Sequence, residues 1–253
     1  MKRFVIIILL FCLLVPLVEA QLWETRRYEV TAGFGPSLFF GDVGGFSKTK
    51  NILGIRDMSF LQTRFDLNLS LKYRITQELN ARFSFTTGLL HATDSRGSNK
   101  GRGYEASTFI TEPTLIAEYY LIKNKAENSY LFAKGQQGFP GGILGSLDVY
   151  AFGGLGGLIY SITPNDSLKA SMARKGVKHN GTTVVIPAGI GASLVFSPSF
   201  SFGAEFGGRY SFSDYIDGYS SQFSTSNDVY YFFNLTVTYK LKTKRNGLPS
   251  FRR

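Results

Sequence analysis

Beyond its first twenty residues, the sequence lacks cysteine. The only cysteine among the 253 residues is Cys12, inside an apolar run at residues 4–18. A lipid-modified cysteine would follow a small residue at the end of such a run, whereas Phe11 precedes Cys12 and further apolar residues follow. We therefore expect no lipid anchor, no disulfide, no thiolate nucleophile and no sulfur-ligated metal site.

The N-terminal residues have the pattern of a secretory signal peptide. Lys2 and Arg3 precede the apolar run, and the run closes on Glu19-Ala20, with a small residue at the last position. The alternative is a membrane anchor, but the run is short, contains Pro16 and has no basic flank after it. We therefore expect residues 1–20 to be removed and the chain to be exported.

Long apolar runs are absent from the rest of the chain, and tryptophan occurs once, whereas phenylalanine occurs 23 times and tyrosine 14 times. No later stretch approaches the roughly 20 continuous apolar residues that a membrane helix needs, so any further span has to be made of β-strands. The net charge of +10 suits lipid headgroups or acidic protein surfaces. The sequence shows no nucleic-acid-binding module.

Residues 62–76 alternate between an apolar and a charged face. Phe65, Leu67, Leu69, Leu71 and Tyr73 share one parity, and this period of two predicts a β-strand. Seven other stretches show the same alternation, at about residues 28–40, 79–91, 108–122, 148–162, 182–196, 200–212 and 229–241. In the fifth strand, Tyr150, Phe152, Leu158 and Tyr160 are predicted to face outward.

The connections alternate in length. Those after strands one, three, five and seven are long and polar, and those after strands two and six are tight; the connection after strand four carries a glycine-rich insert at residues 136–145. Short turns on one side and long loops on the other are typical of bacterial outer-membrane barrels. The sequence thus predicts an all-β fold: an eight-stranded antiparallel transmembrane β-barrel over residues 21–241, a basic periplasmic tail at 242–253 and both termini in the periplasm.

A soluble barrel or sandwich would show the same parity with the faces reversed. Two features favour a membrane: apolar faces six or seven positions long, and aromatic residues at strand ends. The aromatic residues of this predicted girdle are Tyr28, Phe40, Tyr73, Phe109, Tyr119, Tyr160, Phe196, Phe200, Phe212, Tyr231 and Tyr239.

The inward parity carries charges of both signs. An eight-stranded barrel is just wide enough inside for side chains, so we expect these charges to pair and plug the lumen. The predicted plug residues are Glu29, Arg64, Asp66, Lys72, Arg74, Arg82, Glu112, Glu118, Glu205 and Arg209, with Lys240 on the same parity.

Catalytic and metal sites are not evident. His91 lies on the outward parity at the end of strand three, but no serine lies two residues away and no carboxylate is obvious as its partner. His179 lies in a polar loop, and the glycines at 153–157 lie in a strand rather than in a phosphate-binding loop. We expect no enzyme activity, cofactor, metal or small-molecule substrate.

Residues at several strand ends resemble the PorG family, outer-membrane barrels of the Bacteroidota type IX secretion system. The similar residues are Gly41 and Asp42 after strand one, Arg56, Asp57, Thr63 and Arg64 before strand two, and Asn227, Asp228 and Tyr230 at strand eight. The resemblance implies a non-enzymatic role in which the barrel, held in outer-membrane lipid, contacts periplasmic ring proteins such as PorK and PorN.

The contacts implied for such ring proteins lie at the short-turn side, including the tail residues Lys242, Lys244 and Arg245. The tail can also be read as solvated charge. A different function stays open, in which the loops at residues 41–58 and 214–228 make the protein a surface-binding or adhesion barrel.

Overall fold

Eight antiparallel strands close into a barrel, which confirms the predicted fold. The structure is a computed structural model that describes residues 26–45, 62–95, 99–123, 145–221, 227–244 and 248–250. The strands are β1 (Tyr28–Phe40), β2 (Arg64–Arg74), β3 (Leu79–Thr93), β4 (Glu105–Ile122), β5 (Leu147–Pro164), β6 (Asn180–Val195), β7 (Phe200–Ser211) and β8 (Val229–Thr243).

Closure comes from the first strand, which pairs with both β2 and β8. Tyr28 lies opposite Tyr73 on one side and opposite Leu241 on the other. A two-residue strand, β9 (Pro249–Ser250), adds to the end of β8. We call the end that holds Tyr28, Arg74 and Thr243 the short-turn end, and the opposite end the long-loop end.

The outer wall is apolar because the outward parity of the strands is apolar. Leu67, Leu71 and Leu115 expose 57%, 58% and 67% of their surfaces, and no element covers them in the described residues. Strands of 11 to 18 residues, at about 3.3 Å per residue and a tilt of about 40°, rise at least ~28 Å, which exceeds the ~25 Å apolar band of membrane barrels.

The predicted facing of β5 is wrong. Tyr150, Phe152, Leu158 and Tyr160 are buried in the lumen, whereas Leu155 and Ile159 are exposed on the outer wall. Glycines on the neighbouring strand β6 explain this arrangement, because they leave room for rings inside the barrel. A Cβ added at Gly181, Gly189 or Gly191 would lie within 2.6 Å of the ring of Tyr160, Phe152 or Tyr150, respectively.

The aromatic girdle is correspondingly smaller than predicted. Tyr160 points inward, and the rings of Phe40 and Tyr231 are buried, 5.6 Å apart in an edge contact. Tyr28 is half-buried. Seven predicted girdle residues are exposed: Tyr73, Phe109, Tyr119, Phe196, Phe200, Phe212 and Tyr239.

The polar loop predicted at residues 163–181 contains a helix, α1 (Asp166–Lys175). Asn165 caps it by accepting a hydrogen bond from the Leu168 backbone N–H at 3.0 Å, and Gly176 ends it with φ 67°. Its buried side chains are Leu168, Ser171 and Met172. The two buried apolar residues lie one turn apart, and two positions are too few to show a helical period in the sequence. No helix in the described part of the chain is long and apolar enough to cross a membrane.

The interior has two halves. Toward the long-loop end it holds an apolar core of side chains from the strands, α1 and the loops, including Leu90, Ile110, Leu158, Met172 and Ile216. Toward the short-turn end it holds the charged residues. A single inward-facing wall therefore supplies both the core of the protein and the candidate site.

Candidate functional site

We call the half of the lumen toward the short-turn end the lower lumen and the other half the upper lumen. Four charged residues form the centre of the lower lumen. Arg82 Nη1 lies 2.7 Å from Glu205 Oε1 and 2.9 Å from Glu118 Oε1. Lys72 Nζ lies 2.9 Å from Glu118 Oε1 and 3.7 Å from Glu205 Oε1. Two cations thus face two carboxylates, and this balance makes their shared burial tolerable. The ring of Phe152 lies 4.9 Å from the Arg82 guanidinium.

A second group lies nearer the middle of the barrel. Arg209 Nε is 3.4 Å from Glu112 Oε1, and the Tyr230 hydroxyl donates to Glu112 Oε2. Asp66 accepts a hydrogen bond of 2.9 Å from the Asn234 amide. The partner of Asp66 is thus an amide, where the sequence predicts a charge pair.

The short-turn end closes on a small polar cavity. Arg74 Nη2 lies 3.0 Å from Glu29 Oε1, and below this pair Lys123, Asp148 and Lys240 line a cavity of about 10 Å³, room for one water-sized sphere. Burial, followed by the charge of Arg74, lowers the pKa of Lys123 to about 8. This group therefore changes charge near the upper end of the physiological range.

The structure places nine of the ten predicted plug residues in these groups. The tenth, Arg64, is half-buried at the long-loop end, where its Nη1 donates to the Thr63 carbonyl at 2.8 Å. The predicted plug leaves out five lumen residues: Asn80, which donates to Glu118 and to Tyr120, and Asp148, Tyr150 and Asn234. Tyr150 is left out because the sequence predicts that it faces outward. Asp148 is left out because it lies at the end of a strand, where alternation is weakest.

The described parts of the loops at the long-loop end pack into a cap around two buried aspartates. Asp217 Oδ2 accepts from the Val43 backbone N–H at 2.8 Å, and Asp228 Oδ2 accepts from the Ile216 N–H at 2.8 Å. A Cβ at Gly41 would lie 2.5 Å from Asp217 Oδ2 and 2.7 Å from Asp228 Oδ1. Position 41 therefore requires glycine, because both carboxylates occupy the space that a side chain would take.

These two carboxylates are strongly perturbed. Burial raises the pKa of Asp217 to about 8, against the lowering effect of the Val43 and Tyr219 N–H groups. Burial and the neighbouring Asp217 raise the pKa of Asp228. Adjacent buried carboxyl groups cannot both ionise cheaply, so the pair retains a proton at neutral pH.

Arg102 joins three loops of the cap. Its Nε and Nη2 atoms donate to the two carboxylate oxygens of Asp94 at 2.7 and 2.9 Å, and Nη2 also donates to the Asp42 carbonyl at 2.9 Å. The guanidinium lies 4.9 Å from the ring of Tyr104 and 4.6 Å from that of Tyr219. Hydrogen bonding to Asp94 raises the pKa of Arg102 despite burial.

The cap accounts for part of the predicted family motif. Gly41, Asp42 and Asp228 meet there, with Asn227 half-buried beside them. Arg56 and Asp57 lie outside the described residues, as do Arg245 and the insert at 136–145 apart from Gly145. The sequence pattern does not reveal Asp94, Arg102 and Asp217, since no spacing links the loop between β3 and β4, which holds the first two, with the loop between β7 and β8, which holds the third.

The outer wall shows a further difference from the sequence prediction. His91 Nδ1 lies 3.1 Å from Ser107 Oγ, and His91 Nε2 lies 3.5 Å from Glu105 Oε1. The expectation that His91 lacks a carboxylate partner is therefore wrong. Both neighbours come from β4, whose register pairs Ser107 directly with His91, and alternation along one strand does not reveal a pair of this kind.

An apolar outer wall around a charged and aromatic interior defines a β-barrel of the transmembrane type. The chain belongs to the family described as "Domain of unknown function (DUF6089)", whose model matches residues 2–246. No curated protein matches the chain.

Several solved structures are similar at low identity. The N-terminal β-barrel domain of Pseudomonas aeruginosa OprF is 12% identical to this chain, with a TM-score of 0.44. The match covers 85% of this chain and 98% of that one. Neisserial surface protein A is 11% identical, with a TM-score of 0.45, covering 84% and 96%. A major outer membrane protein from Thermus thermophilus is 10% identical, with a TM-score of 0.44, covering 85% and 100%.

Proposed function

We propose that this protein is an outer-membrane barrel that acts as a structural component of the type IX secretion machinery and docks periplasmic ring proteins of the PorK and PorN kind. The observation that carries the proposal is the filled interior. Buried ion pairs occupy the lower lumen, and an apolar core occupies the upper lumen. Because the interior is filled in the part of the chain that the structure describes, we expect this role to be carried out at the rims, and the role itself needs no chemistry.

The wall and the loops support this placement in the membrane. The apolar outer wall meets lipid, and the short-turn end faces the periplasm, as in bacterial barrels with short periplasmic turns and longer surface loops. Both Tyr28 and Thr243, at the beginning of β1 and the end of β8, lie at the short-turn end. In this orientation the basic tail lies where periplasmic proteins can reach it.

The short-turn rim has the charge that such docking would use. Lys242 and Lys244 are exposed, and Lys123 and Lys240 line the small cavity beside them. A basic rim favours association with acidic protein surfaces by steering the encounter. The rim therefore supports docking of an acidic face of a ring protein.

The decisive experiment is deletion followed by complementation. A deletion strain should fail to export type IX cargo, and an affinity-tagged full-length protein should recover the ring proteins. Lys242→Glu with Lys244→Glu should reduce that recovery, whereas Lys169→Glu with Arg174→Glu, exposed on α1 at the other end, should not. Normal export in the deletion strain would exclude the proposal.

The surface-binding alternative has one observation in its favour. The cap is tightly packed and presents Tyr215, which is 43% exposed. Lys175 Nζ donates to the Ser220 carbonyl at 2.8 Å and so holds the helix against the described part of the β7–β8 loop. Removal of that loop should abolish cell or matrix binding while the barrel still folds; unchanged binding would exclude this function.

A further inference from the structure

Three residues on the outer wall, a serine, a histidine and a glutamate, lie in the spatial arrangement that acyl-hydrolysing enzymes use. We propose that Ser107, His91 and Glu105 form a hydrolytic site for ester-linked, phosphate-bearing lipids of the outer leaflet. The proposal rests on the membrane placement above. It is otherwise independent of ring docking, because it uses the opposite end and the outer face of the barrel.

The geometry assigns a role to each residue. Ser107 Oγ lies 3.1 Å from His91 Nδ1, within reach for transfer of the hydroxyl proton to the ring. Glu105 Oε1 lies 3.5 Å from Nε2 on the other side of the same ring. Serine as nucleophile, histidine as base and a carboxylate that orients the base is the arrangement that activates a weak nucleophile. Here Glu105 is a positioning residue.

Two neighbouring strands hold this arrangement in place. His91 and Ser107 are register partners in the β3–β4 ladder, so their backbones are fixed by the sheet. His91 is only 6% exposed, whereas Glu105 is more than half exposed and Ser107 is half-buried. A packed base beside an accessible hydroxyl is what a preorganised site needs.

The site lies at the depth where lipid esters lie. Leu89 and Phe109, the next outward residues toward the middle of β3 and β4, are 46% and 50% exposed on the apolar wall. His91 and Ser107 follow near the last and first residues of those strands. The transition from apolar wall to strand end corresponds to the interfacial region between hydrocarbon and headgroups.

An open groove beside the site fits such a lipid. It has a volume of about 670 Å³ and is lined by Phe109, Ile159, Lys178 and Asn180 among others. This is within the size range of ligand sites. Phe109 is two residues from Ser107 on the same face, about 7 Å away. The apolar lining suits an acyl chain, and the Lys178 ammonium suits a phosphate.

The reaction is a two-step acyl transfer to water. Ser107 Oγ attacks the ester carbonyl carbon while His91 Nδ1 takes the hydroxyl proton. The bond from that carbon to the alcohol oxygen then breaks, and the alcohol leaves with the proton from Nδ1. Water next attacks the acyl-serine and gives a proton to His91, which returns it to Ser107 Oγ as the fatty acid leaves. Overall, one ester and one water become one alcohol and one carboxylic acid.

The test uses the full-length chain folded into lipid vesicles, with released fatty acid as the readout. One set of vesicles contains phosphatidylethanolamine, and a second also contains lipopolysaccharide. Wild-type protein should release fatty acid in at least one set, and the set identifies the lipid. Ser107→Ala and His91→Asn should each lower the rate by about 100-fold or more. Ser95→Ala, an exposed serine at the same end, should leave the rate unchanged.

The role of Glu105 is tested with a kinetic measurement that a change in folding alone would not produce. Glu105→Gln should lower kcat about tenfold with KM unchanged, and Glu105→Asp should recover part of it, since removal of a group that acts in the transition state affects kcat. Each variant must retain the gel shift on heating of a folded barrel.

Two results would overturn the proposal: no release by the wild-type protein from either kind of vesicle, or release by Ser107→Ala at the wild-type rate. Export of type IX cargo is measured separately in a strain that carries Ser107→Ala, so loss of one function does not depend on the other.

Discussion

Asp217 Oδ2 and Asp228 Oδ1 point into the same small space beside Gly41, where an added Cβ would lie 2.5 and 2.7 Å from them. Asp217 receives hydrogen bonds from the Val43 and Tyr219 backbone N–H groups, and Asp228 from that of Ile216. Two buried carboxyl groups thus connect the loop after β1 with the loop before β8. Because β1 and β8 are the strands that close the barrel, this contact ties its first and last strands together at the long-loop end.

Gly41→Ala should destabilise the cap. The new methyl group would overlap two carboxylate oxygens that backbone hydrogen bonds hold in place, and overpacking of this kind costs about 1–3 kcal/mol. Urea unfolding of the folded protein in micelles would measure the loss. Gly101→Ala is the matched control, because an added Cβ there meets no atom within 4 Å. Equal stability of the two variants would contradict the close approach at position 41.

The cap should lose stability as pH rises. The pKa of Asp217 in the folded protein is about 8, above its ordinary value of 3.8, so between these values the folded state binds more protons than the unfolded state. The free energy of unfolding therefore decreases from about pH 4 to about pH 8, by on the order of 1 kcal/mol per pH unit at most.

Asp217→Asn should flatten this dependence, since an amide does not titrate. The measurement is denaturant unfolding at several pH values from 5 to 8.5, as a series of about five points. Asp166→Asn, on the exposed first turn of α1, serves as control and should leave the slope as in the wild type. A wild-type slope in Asp217→Asn would show that the group is not responsible.

Glu205→Gln should destabilise the lower lumen. Arg82 and Lys72 would then share the single carboxylate of Glu118, and an uncompensated buried charge typically costs about 3–5 kcal/mol. Glu78→Gln, an exposed residue in the turn between β2 and β3, is the control. Unfolding in micelles gives the stability difference, and a difference below about 1 kcal/mol would mean that the four charges are not a mutually dependent group.

Gly189→Ala should disturb the lumen from β6, the strand next to β5. The added methyl group would lie 2.6 Å from Cζ of Phe152 and 2.3 Å from the Phe206 carbonyl oxygen. We expect a loss of about 1–3 kcal/mol. Phe152→Leu should lower the additional cost of Gly189→Ala if the ring is the main obstacle. Gly157→Ala, where a Cβ meets nothing within 4 Å, should be close to neutral.

Much of the barrel could be predicted because a strand has a period of two. The parity of residues such as Leu67 and Lys72 separates an apolar from a charged face, and eight such stretches imply closure. Long and short connections follow directly from the spacing between stretches. The facing of β5 could not be predicted in this way, since glycines at 153, 154, 156 and 157 remove the contrast between its faces.

By itself, the sequence determined the strands, the two kinds of face and the charges available to the interior, because these depend only on neighbours along the chain. Tertiary structure decided which residues meet. The pairing of His91 with Ser107 depends on the register between two strands, and the space shared by Asp217, Asp228 and Gly41 depends on barrel closure. Contacts of that kind join residues up to 187 positions apart. Because only the folded barrel brings such distant residues together, local alternation does not reveal these contacts.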